Sequence, residues 1–180
     1  SPPSRADTVI AMRRIPVLLL LLAAVPASAH DFWVEPSTFH PEPGAKVALF
    51  LRSGENDVAE PVPRREARID RFEVVGAGTK VPARGAEGRD PAGEFVPTAA
   101  GGWFAVYRSR PQSITLGPAA FEAYLRKEGL DHVIAEREAK GHSRVDGREI
   151  YSRCAKALIR VGGDGSGFDR VVGLRLELVL

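Results

Sequence analysis

Short runs in which apolar and polar residues alternate recur along most of this chain. DFWVEP, KVALFLRSG, IDRFEVVGAG, GEFVPTAAGGWFAVYRS, SITLG, AKALIRVGG and VVGLRLELVL are rich in β-branched and aromatic residues and are punctuated by Gly and Pro. Runs of this length with turn residues at the joints predict an antiparallel β-sandwich or barrel. Alternation is clearest at the end, where Leu174, Leu176 and Leu178 share one face and Arg175 and Glu177 the other. A strand patterned this way buries one side and wets the other. LRLELVL stops inside a hydrophobic run with no polar tail over its edge, which reads as a fragment of a longer protein.

One stretch carries a different period. In GPAAFEAYLRKEGLDHVIAEREAKG, Pro118 suits the first turn of a helix, Phe121, Tyr124 and Leu125 stand at i, i+3 and i+4, and Gly129 supplies a stop. Asp131 is placed to cap a second helix running toward Gly141, with Glu136 and Lys140 paired at i, i+4. The pattern predicts a helical insertion over about 118–141 lying against the sandwich, its charges forming a solvated face. SGENDVAEPVPRRE and VPARGAEGRDPAGE, dense in Gly, Pro and charge, read as loops.

The amino-terminal region follows neither pattern. From Met12 the chain reads MRRIPVLLLLLAAVPASA: two arginines, an apolar stretch from Ile15 to Val25, then Ala27-Ser28-Ala29. That order predicts a signal peptide over 12–29, cut between Ala29 and His30. The apolar stretch is shorter than the roughly 20 residues a membrane-spanning helix needs. SPPSRADTVIA, residues 1–11, has no apolar pattern and reads as an upstream extension, leaving residues 30–180 as the folded part.

Removing the leader changes the charge. The 180 residues hold 25 basic and 23 acidic side chains; residues 1–29 contain Arg5, Arg13 and Arg14 against Asp7, which leaves 22 of each. A neutral processed chain gives nucleic acid or an anionic membrane no electrostatic motive for binding. Its length suffices for one domain with a real core. Cys154 is the only cysteine, so no internal disulfide exists and no stable disulfide partner is expected. Its surroundings, YSRCAKALI, describe a small hydrophobe on a strand.

Processing would give His30 both a free α-amine and an imidazole. The amine nitrogen and ring Nδ1 of one residue can chelate a single ion, which an internal histidine cannot do. With an amine pKa of about 7.7–8.0, a metal displaces the proton near neutral pH at modest cost. Nitrogen donors suit Cu, Ni, Co and Zn rather than Ca or Mg. His40, in STFHPEPG, is the candidate second ligand, provided Pro36, Pro41, Pro43 and Gly44 turn the chain back; fully extended, the two histidines would stand about 33 Å apart. Asp31 could add an oxygen. His132 and His142, if joined by helix, stand about 15 Å apart and cannot share an ion, though either could reach His30 through the fold.

Other chemistry is thinly represented. GxSxG, the P-loop, HExxH and a Cys/His nucleophile arrangement are all absent. GGDGSGF, 162–168, precedes a strand-like run rather than a helix and reads as a hairpin turn, not a phosphate cradle. Trp33, Trp103, Phe32 and Phe104 would make a sugar-binding platform if exposed, but aromatics at strand positions are more often core.

AHDFWVEPSTFHPEPG after a signal peptide, then REIYSRCAKALIRVG and VVGLRLELVL, resembles an uncharacterised bacterial periplasmic family often labelled as periplasmic components of cobalt or nickel transport systems. The resemblance covers nearly all of residues 29–180. It implies an immunoglobulin-like antiparallel β-sandwich, a periplasmic location, presentation of Ni or Co to a membrane metal-uptake transporter, and a second β-rich portion after Leu180. Only His30 carries over as a ligand. Cys154 stands where the family motif would have Tyr, which weakens arguments built on that motif.

The expected function is therefore a non-catalytic periplasmic protein that buffers or delivers a transition metal through His30, with His40 or another histidine. Two alternatives stand beside it: a copper-dependent oxidoreductase using the same leading histidine, and a carbohydrate- or protein-binding sandwich that recognises its ligand through exposed aromatics. The fold cannot choose among them.

Overall fold

The computed structural model describes residues 31–55, 58–163 and 170–179; the stretches expected to be an extension and a signal peptide, and His30, lie outside the described residues. The strands are β1 (Asp31–Pro36), β2 (Val47–Glu55), β3 (Val58–Pro61), β4 (Ile69–Gly76), β5 (Thr79–Pro82), β6 (Gly93–Phe95), β7 (Gly101–Ser109), β8 (Gln112–Leu116), β9 (Gly147–Tyr151) and β10 (Cys154–Val161), with helices α1 (Pro118–Lys127) and α2 (Asp131–Ala139) between β8 and β9.

One four-stranded sheet runs β1-β2-β3, with β6 pairing the start of β2; the other runs β10-β7-β4-β5. Every ladder is antiparallel. The result is a β-sandwich with a helical insertion, the class the alternation predicts. Period-two patterning decides what faces inward. Val34, Val47, Leu49, Leu51 and Phe95 from the first sheet meet Phe72, Val74, Trp103, Ala105, Ala157 and Ile159 from the second. Trp103 is fully buried, and its indole Nε1 donates to the Ala99 carbonyl at 2.9 Å, so its polar atom is satisfied. Gly76 opposes it in the ladder, and a Cβ there would run into the indole.

The 83–92 loop read from its Gly and Pro content is organised around a buried arginine. Arg64 donates from Nη1 to the carbonyls of Ala83 (3.0 Å) and Ala92 (2.8 Å), and its Nε pairs with Glu66 at 2.5 Å. Satisfying loop carbonyls with one rigid guanidinium substitutes for a ladder. The other predicted loop is partly a hairpin: β2 continues to Glu55 and β3 returns from Val58, with Arg52 opposite Pro61. Gly54 is required there, because a Cβ would collide with the Val58 carbonyl.

The insertion carries two strands of its own beside its helices. β8 and β9 form a separate two-stranded ribbon, and α1 meets it through Phe121. Phe121 sits so close over Gly147 that any Cβ would fall inside its ring, and Arg137 stacks on the same ring at 4.8 Å. Arg137 also donates to the carbonyls of His142 (3.0 Å) and Val145, closing the return to β9. Asp131 opens α2 without making a side-chain cap; Glu136 and Lys140 do form their pair, at 2.5 Å.

The terminal strand is the main departure. Residues 170–179 form no strand; Leu176 and Leu178 are 78% and 81% exposed, while the carboxylate of Glu177 is turned inward. That carboxylate accepts the amides of Val172 (2.8 Å) and Leu174 and stands 3.7 Å from the Lys156 ammonium. Arg71 donates to the Val172 carbonyl at 2.9 Å, and Arg170 lies 5.3 Å over the Phe104 ring. The segment thus crosses the outer face of the second sheet. Phe104 and Val106, on the outward side of β7, are consequently as buried as the core.

Candidate functional site

β1 begins at Asp31, whose exposed residue is in register with Gly54. Directly inside this end, the half-buried Phe32 ring packs against Tyr107 at 5.1 Å between centroids. The guanidinium of Arg153 lies 5.1 Å over Phe32 and 6.0 Å over Tyr151, and its Nη1 donates to Ser53 Oγ at 3.3 Å. Arg153 is held from behind: its backbone amide donates to Ser109 Oγ and its carbonyl accepts the Ser109 amide, both at 2.9 Å. Burial pushes the Tyr107 hydroxyl up from its ordinary pKa, against the opposing pull of Arg153, Arg68 and Arg64. The start of β1 therefore stands on an aromatic floor with one fixed cation. Arg153 lies within the REIYSRC stretch, but its role depends on non-local partners, Ser53, Phe32 and Ser109, that no local pattern reveals.

The remaining histidines are elsewhere. His40 is exposed in the β1–β2 connection, its amide donating to Thr38 Oγ1 at 3.2 Å. Its neighbours Phe39 and Pro41 accept the amides of Arg160 and Gly162 at the far end of β10. The length of β1, about 17 Å at 3.3 Å per residue, separates that end from Asp31. His132 is exposed on α2 and His142 just beyond it, both on the insertion. Among the described residues, no group of three His, Cys, Asp or Glu side chains is close enough to share a metal ion. No described helix is long and apolar enough to cross a membrane.

Residues 27–180 match the model of a family described as a domain of unknown function, DUF4198. The chain belongs to the DUF4198 family. No curated protein and no solved structure matches it. The match takes in the His-Asp-Phe-Trp block, both later motifs and the whole sandwich. Within this DUF4198 domain the four aromatics do not form one platform: Trp103 and Phe104 are buried, and only Phe32 and Trp33 are partly accessible. Cys154 is a half-buried free thiol opening β10. Gly162 and Gly163 leave β10 with positive φ; residues 164–168 lie outside the described residues, and because 170–179 form no strand the expected hairpin has no second arm.

Proposed function

We propose that this DUF4198 domain is an exported, periplasmic transition-metal-binding protein whose chelating group is the processed amino terminus. The α-amine and Nδ1 of His30 supply two nitrogens and the adjacent Asp31 carboxylate an oxygen. Such a set favours Ni, Co or Cu over hard cations. Buffering or delivering nickel or cobalt to a membrane uptake system is the role this chemistry suits.

One observation carries the reading. The small-residue cleavage signal ends at Ala29 and the first strand begins at Asp31, hydrogen-bonded in register to β2. Cleavage there would place the new terminus one residue from a rigid strand, so the ligands lose little conformational freedom on binding. The proposal rests on His30 and Asp31; His40, at the opposite end of β1, is not needed for it.

Mass determination of the exported protein should find His30 first. Calorimetric titration of that species with Ni, Co, Cu and Zn should give a single site for at least one of them. Tight Cu(II) binding with peroxide turnover would instead favour an oxidoreductase, and metal-independent glycan binding would favour a recognition module.

A further inference from the structure

A second feature has no part in that chelate. Where β7 hands over to the ribbon, β9 returns from it and the carboxy-terminal segment crosses, a cavity of about 170 Å³ is lined by Asp70, Arg108, Ser109, Arg110, Ser152 and Arg175. Three arginines and one aspartate line it, in a chain whose residues 30–180 hold 22 basic and 22 acidic side chains. Arg108 is tied through Nε to Asp70 at 2.5 Å. The guanidinium groups of Arg110 and Arg175 make no hydrogen bond or ion pair among the described residues. The walls are fixed: the Arg110 amide donates to the Arg68 carbonyl at 2.8 Å, and the Ser109–Arg153 backbone pair joins the two chain crossings. Ser109 is buried, and with its oxygen accepting from the Arg153 amide its hydroxyl proton is left to donate.

We infer that this cavity binds a small polyvalent oxyanion of the phosphate type. Guanidinium forks match oxyanion geometry, and charge-assisted bonds of this kind are about twice as strong as neutral ones. The volume equals that of about five to six waters at about 30 Å³ each, enough for a phosphate ion and part of its hydration. Ligand binding would offset the mutual repulsion of the arginines. Because they come from β7, its exit and the carboxy-terminal segment, it would also hold these three segments together.

The test uses the full 180-residue chain and needs no leader processing, so its outcome is independent of the metal reading. Inorganic phosphate, titrated calorimetrically in chloride buffer, should bind saturably at one site and more weakly as salt rises. It should also raise the unfolding temperature. The double variant Arg110→Ala/Arg175→Ala removes exposed side chains and should keep its fold while losing at least tenfold in affinity. Arg84→Ala, in the 83–92 loop, should bind as the parent does. Unsaturable binding, or equal affinity in the double variant, would overturn the assignment.

Discussion

β10 and the segment 170–179 read alike as sequence, yet they end in opposite conditions. AKALIRV puts Ala155, Ala157, Ile159 and Val161 on one face, and LRLELVL puts Leu174, Leu176 and Leu178 on one face with Arg175 and Glu177 on the other. β10 lies along β7 in an unbroken ladder from Cys154↔Arg108 to Val161↔Gly101, with Ile159 fully buried. The later segment has Leu176 and Leu178 in solvent and its glutamate inside. Alternation says which residues share a face; it does not say which face finds a partner. β10 meets a strand edge with its apolar side toward the opposite sheet. Residues 170–179 meet the outer face of a completed sheet, where Lys156 and Arg71 already stand, and the charged side is the complementary one.

The largest effect should come from the ladder side of this contrast. Ile159→Ala should cost about 2–5 kcal/mol in urea unfolding, the range for a large-to-small change in a packed core. A loss no larger than that of a surface change would remove the distinction between the two segments. Ending the chain after Gly163 should cost less, on the order of 2–3 kcal/mol, because it uncovers Phe104 and Val106 without breaking a ladder. Binding of a hydrophobic dye by the shortened chain would register the uncovered face; its absence would mean that something else covers it.

The glutamate gives a pH signature. Burial alone would raise the Glu177 pKa, but the amides of Val172, Leu174 and Gly173 together with the Lys156 ammonium hold it below the ordinary glutamate range. A carboxylate lowered in the folded state contributes stability above its unfolded pKa, and that contribution is lost as pH falls through the folded value. Exchange protection of the Val172 and Leu174 amides, corrected for intrinsic rates, should therefore hold at neutral pH and collapse below the ordinary glutamate range. Glu177→Gln should show the loosened state at neutral pH, and unchanged protection in it would contradict the inward carboxylate. The smallest effect belongs to Leu176→Ser and Leu178→Ser, each within about 0.5 kcal/mol of the parent, as for surface positions generally. A cost above 1 kcal/mol would mean that these leucines are buried after all.

Strands with strong alternation and local punctuation, such as β1, β2, β4, β7 and β10, were legible from composition. β3, β5 and β9 were not. Their residues are charged, short in run or rich in glycine, and they are strands because a neighbour offers an edge. The β4–β5 hairpin even places Ala77 at positive φ beside Gly78, which no turn preference would select. Both helices were legible, but their docking surface was not, because it depends on Phe121 meeting a residue that lacks a side chain, Gly147. His30 stood out because the pattern that predicts cleavage after Ala29 is local. The arginine cavity did not, since Asp70, Arg108, Ser152 and Arg175 are distant in sequence and converge only in the fold.

The claim most exposed to test is that processing creates the metal-binding group. Titrating Ni(II) into the chain that begins at His30, beside the same chain with one glycine placed before His30, separates the free amine from every other donor. The account predicts one-to-one binding by the first and a loss of at least a hundredfold in affinity by the second. Equal affinity in both would contradict it.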